Sequence, residues 1–397
     1  MTVVYNPFDP GFVADPYPTF KELRETTPVY RIQEVEGLSL LTRFHDIDEV
    51  LRDREAFTVD HRKLAAEGAP GESPFARTPE NILFRDPPEH TRWRRQMSKA
   101  LSNAHMDAFR ARASALADEL LDAIAEAGEV DFVEAFASQL PFTAISDLLG
   151  TPPADRPQVQ AWVSDIVNVT EPVVSPEASE AIVRSSDAMR EYLKELCAHK
   201  RAHPADDAIS RLVTADGVDA PTPDEVVEQV LLLQVAAPEP TTNHLAFGAL
   251  ELARRPDQAR VLREDPSLDH DAAEEILRFE APLQIAVRGV LRDVELHGQK
   301  IEAGTAVVLS LAAANHDTER WGDTADALDL RRDRSHEHLS FARGIHTCFG
   351  AALARVLGRE TFGRLVRRFP KLSMTAEPQW NVLLNRRGPM RVPISVR

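Results

Sequence analysis

Apolar positions recur at helical spacing over most of this chain and alternate in only a few short stretches. Residues 19–26 and 46–52 carry the helical period. Between them, 29–32 and 38–42 cluster or alternate around Gly37, which predicts a hairpin. Helices are predicted over 106–127, 130–149, 156–169 and 178–201, with breaks at Gly150-Thr-Pro-Pro and at 171–176. Thr222-Pro223-Asp224-Glu225 is a helix start: Thr222 caps, Pro223 suits the first turn and Glu225 closes a capping box. The following 226–236 is almost wholly apolar, as in a helix buried on every side. A short helix is expected over 271–279 and an amphipathic one over 351–369. Residues 282–311, punctuated by Gly289, Gly298 and Gly304, read as strands, as do 372–396. The remainder is non-periodic: an extended, proline- and aspartate-rich lead-in over 6–18, a polar connector over 204–223, and an irregular segment over 57–84 containing Gly68, Pro70, Gly71, Pro74 and Pro79. A structureless stretch of that length tends to be functional or mobile. These elements add up to a mainly α protein with a small β-rich part and no internal repeat.

Composition narrows the class. The 397 residues allow two ordinary domains or one large helical one, and 43 % hydrophobic residues supply a sizeable core. No apolar run approaches the roughly 20 residues of a membrane span. Residues 1–15 lack the basic start and apolar core of a signal peptide. With only Cys197 and Cys348, a disulfide framework is excluded. The formal charge of −17 argues against nucleic acid as a partner. The expectation is a soluble cytoplasmic protein that binds neither nucleic acid nor membrane.

The two cysteines are not equivalent. An isolated cysteine is ordinarily a small buried hydrophobe, and Cys197 reads so. Cys348 lies in Phe341-Ala-Arg-Gly344-Ile-His346-Thr-Cys348-Phe-Gly350, directly before the 351–369 helix. Flanking glycines admit positive φ and let backbone approach a flat ligand. A helix N-terminus with unpaired N–H groups stabilises a thiolate. Those are the needs of a sulfur that stays deprotonated as a metal ligand. The spacing F-x-x-G-x-x-x-C-x-G resembles the haem-ligating loop of the cytochrome P450 family. The resemblance implies a cytochrome P450 fold in one domain over 1–397, with haem b (iron protoporphyrin IX) bound through its iron to Cys348. It implies Phe341 packed beside the sulfur, Gly344 and Gly350 shaping the loop, and His346 reaching a haem propionate. In this class the thiolate pushes electron density towards O–O cleavage.

Other stretches carry the resemblance over nearly the whole chain, from Asp15-Pro-Tyr-Pro to the C-terminal strands. Asp86-Pro-Pro-Glu-His90-Thr-Arg92-Trp-Arg94-Arg95 opens a helix to about residue 101. His90 and Arg94, four apart, share a face. Alone they read as a solvated face, but the string is similar to the family's helix that supplies two propionate partners, and a cationic pair suits carboxylates. Arg92, Arg95 and Lys99 then face outward. Arg288 matches a further propionate contact. Glu275 and Arg278, three apart, are by themselves an ordinary exposed pair worth roughly 0.2–0.5 kcal/mol; by resemblance they are the family's buried E-x-x-R pair. The third arginine that the family often adds is not found around Ala325-Asp326-Ala327-Leu328-Asp329. By the same resemblance, the break at 168–177 falls at the lid over the distal pocket, and Leu383 and Leu384 fall on the turn that points into the substrate pocket.

The apolar helix departs from the family. Ala236-Ala237-Pro238-Glu239-Pro240-Thr241-Thr242-Asn243 stands where small-small-x-acid-threonine is usual. Glu239 supplies the acid, and Pro240 occupies the threonine position. Proline in a helix interior costs about 3 kcal/mol, and the two here free the carbonyls of Gln234 and Ala236. The structural reading is a kink compensated by packing. The functional reading is a reshaped oxygen pocket, where Thr241, water or a substrate hydroxyl takes over the proton relay of the family's threonine, with Glu239 as anchor.

The expected activity is insertion of one oxygen atom from O₂ into a biosynthetic small molecule, aromatic or polyketide in kind, free or tethered to an acyl or peptidyl carrier protein. The protein orients substrate while the cofactor does the bond chemistry, and electrons come from a separate ferredoxin and ferredoxin reductase. Arg92, Arg95, Lys99, Arg343, Arg355 and Arg359 make a basic face in an acidic chain, suited to steering an acidic ferredoxin. The missing threonine keeps a second activity open: oxidative phenol or aryl coupling without oxygen insertion. A haem-based ligand sensor is a third class, with no attached DNA-binding or signalling segment in its favour. Peroxide-driven relatives carry arginine-proline in this helix, and the glutamate before Pro240 argues against that activity.

Overall fold

The computed structural model describes residues 3–397 apart from 34, 36, 65–80, 102, 172–173, 218 and 382. The long apolar helix forms in two pieces, Pro223–Ala236 and Pro238–Arg254, which meet at Ala237. Its start is the reciprocal cap that the sequence predicts, with Thr222 Oγ1 accepting from Glu225 N–H and the Glu225 carboxylate accepting from Thr222 N–H. Helices Gln139–Leu149 and Pro176–Ala202 pack on the first piece, and Asp269–Phe279 and Ala351–Arg368 on the second. The largest core joins these helices to Val392 and Ile394 of the C-terminal strands.

A five-stranded sheet runs in the order Val29–Arg31, Leu38–Leu41, Ala306–Ser310, Ile285–Val290, Phe57–Thr58. Only the Leu38–Leu41 and Ala306–Ser310 pair is parallel. Successive side chains point to opposite faces. Leu41 and Leu309 therefore enter one small core, while their neighbours Leu40 and Val308 enter another. Both faces of the sheet are covered, which fixes Arg288 on the strand opposite Val307.

Several elements differ from the sequence expectation. Residues 130–149 are not one helix: strand Glu129–Asp131 and a π-turn over Val133–Ala137 precede helix Gln139–Leu149. Asp131 is the cause, since its carboxylate accepts the N–H groups of Val133 and Val392 and its strand pairs with Pro393–Ser395. The lead-in holds helix Pro10–Ala14, capped by Asp9, and the connector holds Ala208–Val213, capped by Asp207. Both are too short to show a period. Helix Pro256–Glu264 is also present. Residues 65–80 of the irregular segment lie outside the described residues. Among the described residues, no helix is long and apolar enough to cross a membrane.

Candidate functional site

The cysteine loop is built on Gly344. Its φ is +75°, and a Cβ there would sit 2.3 Å from the Leu51 carbonyl oxygen, so glycine lets the loop lie against helix Phe44–Arg52. Cys348 N–H donates to Phe341 O at 2.8 Å and closes the loop on itself. Gly350 then caps helix Ala351–Arg368. Arg355, one turn into that helix, pairs with buried Glu274 at 2.7 Å and lies 4.8 Å over the Phe341 ring.

Cys348 is accessible, yet protein crowds its thiol. Burial pushes the thiol pKa up. The N–H groups of Gly350 and Ala351 and the guanidinium groups of Arg94 and Arg355 oppose that push. The helix-start donors that the sequence predicts are in place, but burial outweighs them. A bound metal cation is what deprotonates such a thiol outright.

Two histidines, two arginines and one aspartate meet beside this loop. His90 is buried, and neither ring nitrogen has a hydrogen-bond partner among the described residues. Burial drives its pKa down to about 4, with His346 and Arg94 adding to the shift. Its ring centroid lies 4.4 Å from that of His346, whose Nε2 meets Asp86 Oδ1 at 3.2 Å. Arg94 donates to the carbonyls of Ile345 and Thr347 at 3.2 and 2.9 Å. Arg288 is buried, its pKa lowered to about 10 by burial with Asp86 opposing, and it donates to the neighbouring Val287 carbonyl. Burial raises the pKa of Asp86 itself, but hydrogen bonds from His346, Lys63 and Thr58 outweigh it and hold the carboxyl well below its usual range. The cluster therefore has more positive than negative capacity and an imidazole without a partner. Such groups are costly to bury unpaired, so the cradle fits a ligand carrying two carboxylates, as haem b does with its propionates.

Behind the loop, Glu275 and Arg278 are fully buried and joined by two bonds of 2.7 and 2.8 Å. The third arginine exists: Arg332 Nε donates to Glu275 Oε1 at 3.0 Å. It lies three residues beyond Asp329, in the run Arg331-Arg332-Asp333-Arg334. A coil has no period to fix such an offset. Arg92 also departs from expectation, since Glu225 holds it half-buried while Arg95 and Lys99 are exposed.

At the helix break, Thr241 Oγ1 donates to the Ala237 carbonyl at 2.8 Å, so its proton is committed within the helix. Pro240 has no N–H to return to Ala236. Glu239 accepts from Asn243 Nδ2 at 3.0 Å and lies 3.3 Å from Arg386. Burial raises its pKa, against the opposing effect of Arg386. Sequence reasoning missed Asp86, Glu274 and Arg386 as members of these clusters. The charge of each was visible, but its partner was not.

The cytochrome P450 family model matches residues 270–386. Cytochrome P450 107B1 of Saccharopolyspora erythraea is 37 % identical over 403 residues, covering 98 % of this chain and 96 % of that protein. The structure of the Bacillus subtilis bacillaene polyketide synthase cytochrome P450 PksS matches with a TM-score of 0.90 at 28 % identity, over 99 % of this chain and all of that one. P450BioI in complex with a fatty-acid-ligated acyl carrier protein matches with a TM-score of 0.88 at 28 % identity, over 98 % of this chain and 100 % of that one.

Proposed function

Because the chain belongs to the cytochrome P450 family and is a monooxygenase with haem b as cofactor, we propose that it inserts one oxygen atom from O₂ into a biosynthetic small molecule. In this reading it works as one domain over 1–397, in the cytoplasm, with Cys348 on the haem iron. The observation that carries it is the excess of guanidinium groups, Arg94 and Arg288 against Asp86, with the His90 and His346 rings beside them at the cysteine loop. Arg94 and Arg288 offer forked donors and His90 a free ring nitrogen, which suits two carboxylates.

When bound, the haem supplies the redox chemistry that activates O₂. The chain's own part is to hold the ring, orient substrate and deliver protons. Glu239 keeps its proton to higher pH than an ordinary glutamate, because burial raises its pKa. It anchors the relay. The carbonyls of Gln234 and Ala236, without N–H donors from Pro238 and Pro240, hold water, or a substrate hydroxyl completes the path.

A polyketide- or acyl-type substrate, free or on a carrier protein, is supported by the likeness to PksS of the bacillaene polyketide synthase and to P450BioI bound to a loaded acyl carrier protein. Electrons come from a ferredoxin and its reductase, docked where Arg95, Lys99 and Arg359 are exposed. The committed hydroxyl of Thr241 favours a second reading, oxidative coupling without oxygen insertion. Turnover under ¹⁸O₂ separates the two: label in the product supports insertion, and an unlabelled coupled product supports the alternative.

A further inference from the structure

Arg386 is a buried guanidinium that donates to two side chains and lies beside a third, a carboxylate. Its Nε donates to Glu171 Oε1 at 3.0 Å and its Nη2 to Asn168 Oδ1 at 3.0 Å, while Nη1 lies 3.3 Å from Glu239 Oε2. The other Glu171 oxygen accepts the N–H groups of Leu384 and Asn385, at 2.9 and 3.3 Å. The turn that carries Arg386 is pinned by backbone: Arg386 bridges Leu283, Asn385 O accepts Gln284 N–H at 2.8 Å, and Arg387 N–H donates to Pro282 O at 3.0 Å. The link from residues 168–171 to this turn runs instead through the Asn168 and Glu171 side chains.

Two carboxylates thus compete for one guanidinium. The Glu171 and Arg386 side chains are 3 % and 4 % exposed, and that of Glu239 is 23 % exposed. A charge so far from water depends on its partner, so what loosens one pair strengthens the other. We propose that Arg386 and Glu171 are positioning residues through which the 168–171 segment sets the state of Glu239. With Glu171 seated as in this structure, Arg386 is shared between the two carboxylates and holds Glu239 only in part. Without the Glu171 contact, Arg386 would pair wholly with Glu239 and hold it as an anion. The groups facing Glu239 agree with this geometry: burial raises its pKa, Arg386 and Asn243 oppose the rise, and Glu171 adds to it. This rests on the reading of Glu239 as anchor of the relay.

The test uses the full-length, haem-loaded protein. Glu239→Gln removes one competitor at constant shape, so Arg386 turns to Glu171. Amide hydrogen exchange at Leu384 and Asn385 should slow by about fivefold, as for a strengthened local hydrogen-bond group. Glu171→Gln should speed exchange at both amides and raise peroxide leakage per electron, because Arg386 then captures Glu239. In the double variant, leakage should not exceed that of Glu239→Gln alone, since both changes act through one carboxyl. Arg386→Lys keeps the charge but loses the three-way fork, and should erase the slowing that Glu239→Gln produces. Exchange at Leu384 and Asn385 unchanged or faster in Glu239→Gln overturns the shared clamp. Slower exchange with leakage at the parental level keeps the clamp and removes the relay reading of Glu239.

Discussion

Arg332 and Glu275 are joined at 3.0 Å, on the same carboxylate oxygen that accepts Arg278 Nη2 at 2.8 Å. The Glu275 side chain is fully buried and that of Arg332 is 9 % exposed. One carboxylate therefore ties helix Asp269–Phe279 to the coil around Arg332, and Arg278 extends the tie to the carbonyls of Asn315, Ala325 and Ala327.

Glu275→Gln leaves two guanidinium groups without a counter-charge and should lower the unfolding free energy by about 3–5 kcal/mol. Arg332→Ala keeps the inner pair and should cost less, about 1–3 kcal/mol. Urea midpoints measure both. A Glu275→Gln protein as stable as its parent would show that the carbonyls alone hold Arg278.

Cys348→Ser should abolish the absorption band that marks thiolate ligation in the reduced, CO-bound protein. Cys197→Ser should leave the band intact, because Cys197 is buried on helix Pro176–Ala202 in the main core, and burial raises its pKa to about 11. The reverse pattern would move the ligand to Cys197.

The cationic cradle predicts an acid-labile apoprotein. His90 titrates near 4 when folded and near 6.5 when unfolded. Between those values the unfolded chain binds the proton that the folded apoprotein refuses, so stability falls as pH falls. Bound carboxylates favour the charged imidazole, so the haem-loaded protein should lose less over the same window. His90→Phe should flatten the apoprotein curve and speed haem loss by about tenfold, the scale of one charge-assisted bond. Parallel acid curves for the apoprotein and the loaded protein would refute the assignment.

Glu239→Gln should lower product formation and raise peroxide release per electron consumed, while Thr241→Ala should do so far less. Stoichiometry of electron donor, product and peroxide checks this. A large loss in Thr241→Ala beside a mild Glu239→Gln would place the relay on the threonine.

Lys99→Glu combined with Arg359→Glu should slow the first electron transfer from ferredoxin by about tenfold at low salt, with the difference shrinking as ionic strength rises. Ligand-induced spectral shifts should be unaffected. Arg355, part of the basic face by sequence, is unsuited to this test because Glu274 holds it over the Phe341 ring. Equal rates at low salt would exclude this face as the docking surface.

Sequence by itself determined what depends on neighbours within about four positions: the Thr222–Glu225 cap, the apolar helix after it, the glycine-shaped cysteine loop and the proline break. It also placed Cys348, His346, His90, Arg94 and Arg288 as candidates, since each sits in a stretch with fixed spacing. Tertiary structure alone decided the pairings. Asp86 meets His346 across 260 positions, and Arg386 meets Glu171 across 215. Arg332 reaches Glu275 through a coil, and Thr241 turns its hydroxyl back into the helix. The physical reason is the same in each case. Caps and periods are set by bond geometry along the chain, whereas a charge finds its counterpart only after aperiodic loops have been folded and the water around both has been removed.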